Sequence, residues 1–204
     1  MKNKYPRKIE IICEGAEEYD YLSKLKELKV FSDWYVIKLK NAKSINNIFS
    51  IYTNEFQNNN SEFIFVFCDT DMAPYDEYKK LCSQINSFHG LRTASSYVVR
   101  YANPCTMQIM LMHFDSVRLK DNKKSNNAAL IQRYTGVKEY RATEQQRKAF
   151  LSHVSNENYI VMKKNIANIS EKYDVHPSTN MLELFESLET DSTEWVDKLI
   201  KKVY

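Results

Sequence analysis

The chain has 204 residues, 43% of them hydrophobic and 27% charged, with a net charge of +3. That length supports one sizeable core, or one core with an appended helical lobe, and the composition is that of an ordinary globular protein. No apolar run reaches about 18 residues, so no membrane span is expected, and four scattered cysteines without a CxxC argue against a zinc site or disulfide framework. The opening MKNKYPRKIE has no apolar segment, so no signal peptide is expected and the expected setting is the reduced cytoplasm.

KIEIICEG (residues 8–15) is a short β-branched run closed by a glycine turn, which predicts a strand. AEEYDYLSKLKEL follows with Tyr19, Leu22, Leu25 and Leu28 spaced by three, as one helical face requires. WYVIKLK (34–40) predicts a second strand, and SINNIFSIYTNEFQ (44–57) an amphipathic helix with Ser44 as its N-cap. After the polar NNNSE comes FIFVFCD (63–69), apolar at nearly every position, as in a central strand covered on both faces. YDEYKKLCSQINSF predicts a third helix and SYVVRYA (96–102) a fourth strand.

Alternating strands and helices predict an α/β fold with an open, mostly parallel four-stranded sheet flanked by helices. From Pro104 onward TMQIMLMHF, NAALIQRYTG, EQQRKAFLSHVSNENYIVMKKNIANISEKY, MLELFESLE and EWVDKLIKKVY all look helical. The expected organisation is an α/β core over residues 1–103 with a helical C-terminal half over 104–204 packed on it, or one integrated domain.

Ligands of open parallel sheets bind beyond the carboxyl ends of the strands. Two acidic signals fall there. Glu14 follows IEIIC directly, ahead of a helix carrying Glu17 and Glu18, and Asp69 and Asp71 follow FIFVF. In a strand-like segment residues two apart point the same way, so both aspartates could meet one cation, and a divalent ion would offset their repulsion. Magnesium suits such a pair, and Glu14 could be a further ligand or a general base. Basic residues concentrate in RLKDNKKSNN (118–127), where Lys120, Lys123 and Lys124 could grip a phosphate backbone.

IICEGAEEYDYL together with FVFCDTD resembles the Toprim fold, whose motifs are a strand-ending glutamate followed by glycine and a later DxD. ANPCTMQIMLMHF (102–114) and HPSTNMLELFESL (176–188) resemble the NPC…LLHF and closing NPST…L segments of RloB-like proteins, in the same order. The resemblance implies a Toprim-like fold and a metal-dependent nuclease using magnesium or manganese, of a family associated with bacterial anti-phage defence and abortive infection. It implies catalytic roles for Glu14, Glu18, Asp69 and Asp71, with Asp69, Asp71 and Glu14 holding the metal. Asn103 and His113 match the polar ends of the NPC…LLHF segment and are candidates for substrate contact, although an apolar helix ending in His113 also suits a buried structural histidine. Ser178 and Thr179 match the NPST pair, where an N-cap needs no further role. The expected partner is nucleic acid, DNA or RNA and with transfer RNA as one candidate, with a defence-system partner subunit or a homo-oligomer as further partners and no membrane. One departure stands out: family members often carry a glutamate soon after NPC, where this chain has Met107. The alternatives are a lost ligand, a substitute such as Gln108, or a catalytically inactive effector that binds nucleic acid or a partner protein.

Overall fold

The structure is a computed structural model in which residues 5–204 are described. Four strands, β1 (Arg7–Cys13), β2 (Tyr35–Asn41), β3 (Phe63–Asp69) and β4 (Val99–Asn103), run parallel, and a two-residue β5 (Ser178–Thr179) lies antiparallel on β4. The sheet order is β2-β1-β3-β4-β5, so the strands ending in Glu14 and Asp69 are neighbours. Helices α1 (Ala16–Glu27), α2 (Ile45–Asn58) and α3 (Asp76–His89) connect them; α4 (Ala94–Val98) leads into β4, and α5 (Met107–Leu111) leaves it. Then come α6 (Lys124–Thr135), α7 (Glu144–Leu151), α8 (Asn156–Ile166), α9 (Met181–Glu189) and α10 (Glu194–Val203).

The strand patterns explain their places. β3 is buried at every position from Phe63 to Cys68, as a strand with helices on both faces must be. Each fully buried Phe of β3 contributes about 1.5–3 kcal/mol through removal from water. β2 alternates instead, Tyr35 and Ile37 inward, Val36 and Lys38 outward, which suits the sheet edge it occupies. One hydrophobic cluster runs from Ile9 to Val203, so the C-terminal helices share the core of the sheet. No helix among the described residues is long and apolar enough to cross a membrane.

Several sequence-based expectations need correction. The sheet has five strands and is mixed, because the Ser178–Thr179 pair adds a short strand to β4; Asn180 holds the N-cap position of α9, although Thr179 Oγ1 does accept from the Met181 N–H at 3.2 Å. Residues 96–98 are the end of α4, and β4 begins only at Val99. Asn180 completes the exposed flank of β4: its Nδ2 donates to the Val99 carbonyl at 2.9 Å and its Oδ1 accepts from the Tyr101 N–H at 2.8 Å. The TMQIMLMHF helix is regular only over α5. The long 144–173 stretch breaks between α7 and α8, where Ser155 accepts from the Asn158 N–H and Asn158 returns a bond to Ser155, a reciprocal cap that starts a new helix. Ser44 stands at the N-cap of α2 without a side-chain cap bond.

Candidate active site

Parallel strands deliver their carboxyl ends to one edge, and there the acids collect. β1 runs through Cys13 to Glu14, whose N–H donates to the Phe67 carbonyl at 2.8 Å and so stays in register with β3. The Glu14 carboxylate (Oε2) accepts from the Asp69 N–H at 3.0 Å. One turn into α1, Glu18 reaches back, its Oε2 accepting from the Gly15 N–H at 2.8 Å. A Cβ at Gly15 would lie 3.2 Å from that oxygen, so the approach favours glycine. The NPC segment after β4 supplies the fourth element: Thr106 donates its N–H and hydroxyl to Asp69 Oδ1 at 2.8 and 2.9 Å, and hydrogen-bonds with Glu18 as well.

Three carboxyls thus share one weakly hydrated place. Burial first, then the negative charges of Glu18, Asp71 and Glu77, pushes Glu14 up to about 8, against the stabilising Asp69 N–H. Burial, then Glu18 and Glu14, holds Asp69 well above the usual carboxylate range, partly offset by Thr106. Burial also raises Glu18, against bonds from Thr106 and Gly15 and the charge of Arg147. The negative charge of Glu18 thus raises both Glu14 and Asp69.

Asp71 stands apart. β3 ends at Asp69 and Asp71 has a left-handed backbone (φ 56°), so strand alternation no longer carries the two aspartates the same way. Its carboxylate is exposed and accepts from Asn122 Nδ2 at 2.8 Å, while its charge still acts on Glu14. Among the described residues, no group of three or more His, Cys, Asp or Glu side chains stands ready to hold a metal ion. The chemistry of the donors nevertheless suits a hard divalent cation: all are carboxylate oxygens, and the second oxygens of Glu14 and Asp69 receive no hydrogen bond from the described residues.

The other expected residues divide. His113 is buried, its Nδ1 donating to Asn158 Oδ1 at 3.0 Å and its Nε2 accepting from the Tyr21 hydroxyl at 3.0 Å; burial pushes it down to about 4, so it is neutral and structural. Asn103 is fully buried, and its Nδ2 holds the Tyr173 carbonyl at 2.6 Å. Met107 lies in the hydrophobic core, and Gln108 spans the Val117 carbonyl (2.8 Å) and the Leu119 N–H (2.9 Å), so neither side chain faces the acids as a substitute ligand. Lys120 and Lys123 are exposed, whereas Lys124 pairs with Glu17, which also accepts from Tyr140 at 2.9 Å.

Lys123 and Lys124 help line a groove of about 960 Å³ together with Asn122, Tyr140 and Arg141. Asn122 contacts Asp71, and Lys124 and Tyr140 contact Glu17, so the groove adjoins the acids. Thr106, Tyr140 and Arg141 are the residues that sequence reasoning missed as site members. For Thr106 alone a signal existed, since it directly follows NPC at a strand end.

A scan against protein-family models and searches of the curated proteins and the solved structures each find no match to this chain.

Proposed function

We propose that this protein is a Toprim-type, metal-dependent phosphodiesterase acting on nucleic acid, of the RloB-like kind associated with bacterial defence. The observation that carries the reading is the convergence of Glu14, Glu18 and Asp69 in one buried place at the carboxyl edge of a parallel sheet. Three acids whose neutral forms are favoured by burial are costly to retain as structural elements alone, and a divalent cation would favour their ionised forms. Asp69 and Glu14 would hold magnesium or manganese, with Asp71 joining from its loop. When bound, the cation would polarise the scissile phosphate.

The chain's own groups have distinct tasks in this reading. Thr106 and the Asp69 N–H fix the rotamers of Asp69 and Glu14. Glu14, protonated near neutral pH in the cation-free protein, can give a proton to the leaving oxygen; in its ionised form it can take one from an attacking water. Lys123 and Arg141 supply positive charge along the groove without reading bases, and the exposed Lys120 adds charge three residues before Lys123, which suits sequence-blind affinity.

A second reading, a catalytically inactive effector that binds nucleic acid or a partner, rests on Met107 in the core and on Asp71 facing Asn122. One experiment separates the two. Purified protein is incubated with plasmid DNA, single-stranded DNA and total RNA including transfer RNA, with magnesium, manganese or EDTA, beside an Asp69→Ala/Asp71→Ala variant. Metal-dependent cleavage that the variant loses supports the nuclease and names its substrate. Absence of cleavage together with absence of metal binding by calorimetry sinks it in favour of the inactive effector.

A further inference from the structure

Beside β4 a cavity of about 790 Å³ opens between α3, the first half of β4 and residues 171–174. None of its lining residues belongs to the carboxylate cluster, and its size is that of sites for nucleotide-sized molecules. Arg100 forms part of its wall, at 3% exposure. Of the five guanidinium donors, Nη1 alone meets an acceptor among the described residues, Glu183 at 2.8 Å; Nε is buried with no partner. The face of the guanidinium rests 5.3 Å from the Phe65 ring centroid.

A buried cation with so few acceptors is costly, and the Glu183 side chain, 71% exposed, is a weakly held counter-charge. Nη2 has no acceptor among the described residues and is not enclosed as Nε is, so an anion in the cavity can meet it, the planar fork of arginine matching the oxygens of phosphate or carboxylate. Arg92 adds a second, exposed positive charge at the rim, and the basic residues lining the cavity outnumber the acidic ones four to three. That balance favours an anion over a cation or a neutral molecule. Tyr78, Tyr101 and Tyr173 form an aromatic wall, Tyr78 lying 5.5 Å from Tyr101 and 5.1 Å from Tyr173 between ring centroids, against which a planar base can lie.

We propose that this cavity binds a small phosphorylated molecule of nucleotide size, with Arg100 and Arg92 taking the phosphate and the tyrosine wall flanking the base. The inference is independent of the phosphodiesterase reading. Its test is calorimetry on the full chain in EDTA with four probes: AMP, ATP, inorganic phosphate and adenosine. At least one nucleotide should bind more tightly than phosphate or adenosine. Arg92→Ala should weaken it by about tenfold, the loss of one charge-assisted contact. Ser83→Trp, which adds bulk on the α3 wall of the cavity, should abolish binding, while Asp69→Ala should leave it in place. Retained affinity in both Arg92→Ala and Ser83→Trp, or no binding of either nucleotide at millimolar concentration, overturns the proposal. Circular dichroism of each variant separates lost binding from lost folding.

Discussion

Glu14 is buried among other acids, and its pH behaviour follows. Its folded-state pKa of about 8 lies above the unfolded value, so the folded state keeps a proton that the unfolded chain gives up. Its contribution to stability is therefore fully present below the unfolded pKa and is lost as pH rises toward about 8. His113 runs the other way: with its folded pKa depressed to about 4, its contribution is present above the unfolded value and lost as pH falls. Thermal scans in EDTA should show the Glu14→Gln protein gaining on wild type between pH 5 and 8; parallel curves would refute the raised pKa. Thr106→Val removes a hydroxyl bonded to a carboxylate with little change of volume. It should cost about 1.5–3 kcal/mol in urea unfolding and, on the proposed phosphodiesterase reading, also depress cleavage. His113→Ala should cost about 2–4 kcal/mol, because the Tyr21 hydroxyl and Asn158 each lose a partner, yet on the same proposed reading leave cleavage per folded molecule unchanged. A proportionate loss of activity would move His113 into the site.

At the scale of elements, β1 carries an anomaly that the sheet resolves. Glu10 is fully buried in the middle of an apolar strand, with one oxygen unpartnered and the other meeting Lys38 at 3.2 Å and Ser61 at 3.2 Å. Lys38 also meets Glu55 at 3.0 Å, and Lys40 pairs with Glu55, so the edge strand β2 brings cations to acids on β1 and α2. Burial raises the Glu10 pKa, with Lys38 opposing it. Removing Lys38 leaves a buried charge half-satisfied: Lys38→Met should destabilise by about 1–3 kcal/mol. The loss should be larger at pH 8 than at pH 5, where Glu10 can take a proton. Glu10→Gln/Lys38→Met should recover most of that loss in urea unfolding, and a double variant as unstable as the single would place the effect elsewhere.

For the molecule as a whole, charge distribution decides more than the net +3. Acids collect at the carboxyl edge of the sheet, and the exposed Lys123 and Arg141, with the Glu17-paired Lys124, line the adjoining groove. If nucleic acid lies there, Lys120→Ala/Lys123→Ala should weaken binding similarly for different sequences. The slope of log affinity against log salt should shrink by about one per phosphate contact removed, measured by fluorescence anisotropy. An unchanged slope would move the contact surface away from residues 120–123.

Local pattern by itself determined the first half of the fold. Period-two and period-three spacing needs only neighbours along the chain, so the first three strand–helix pairs and the central place of FIFVFC were legible, as were Glu14 and Asp69 at strand ends. Only the tertiary structure decided what depends on distant partners. Ser178 and Thr179 are a strand because β4 offers an open flank, which nothing near residue 178 reveals. Asp71 turns toward Asn122 through a left-handed backbone that residue spacing does not encode. Thr106 joins the acids because the chain leaving β4 crosses the ends of β1 and β3, and Arg100 is left short of acceptors because its strand lies against Phe65 and α9. Backbone periodicity is a local property; the pairing of buried polar groups depends on contacts between residues far apart in the chain, and it is settled only when the elements close on one another.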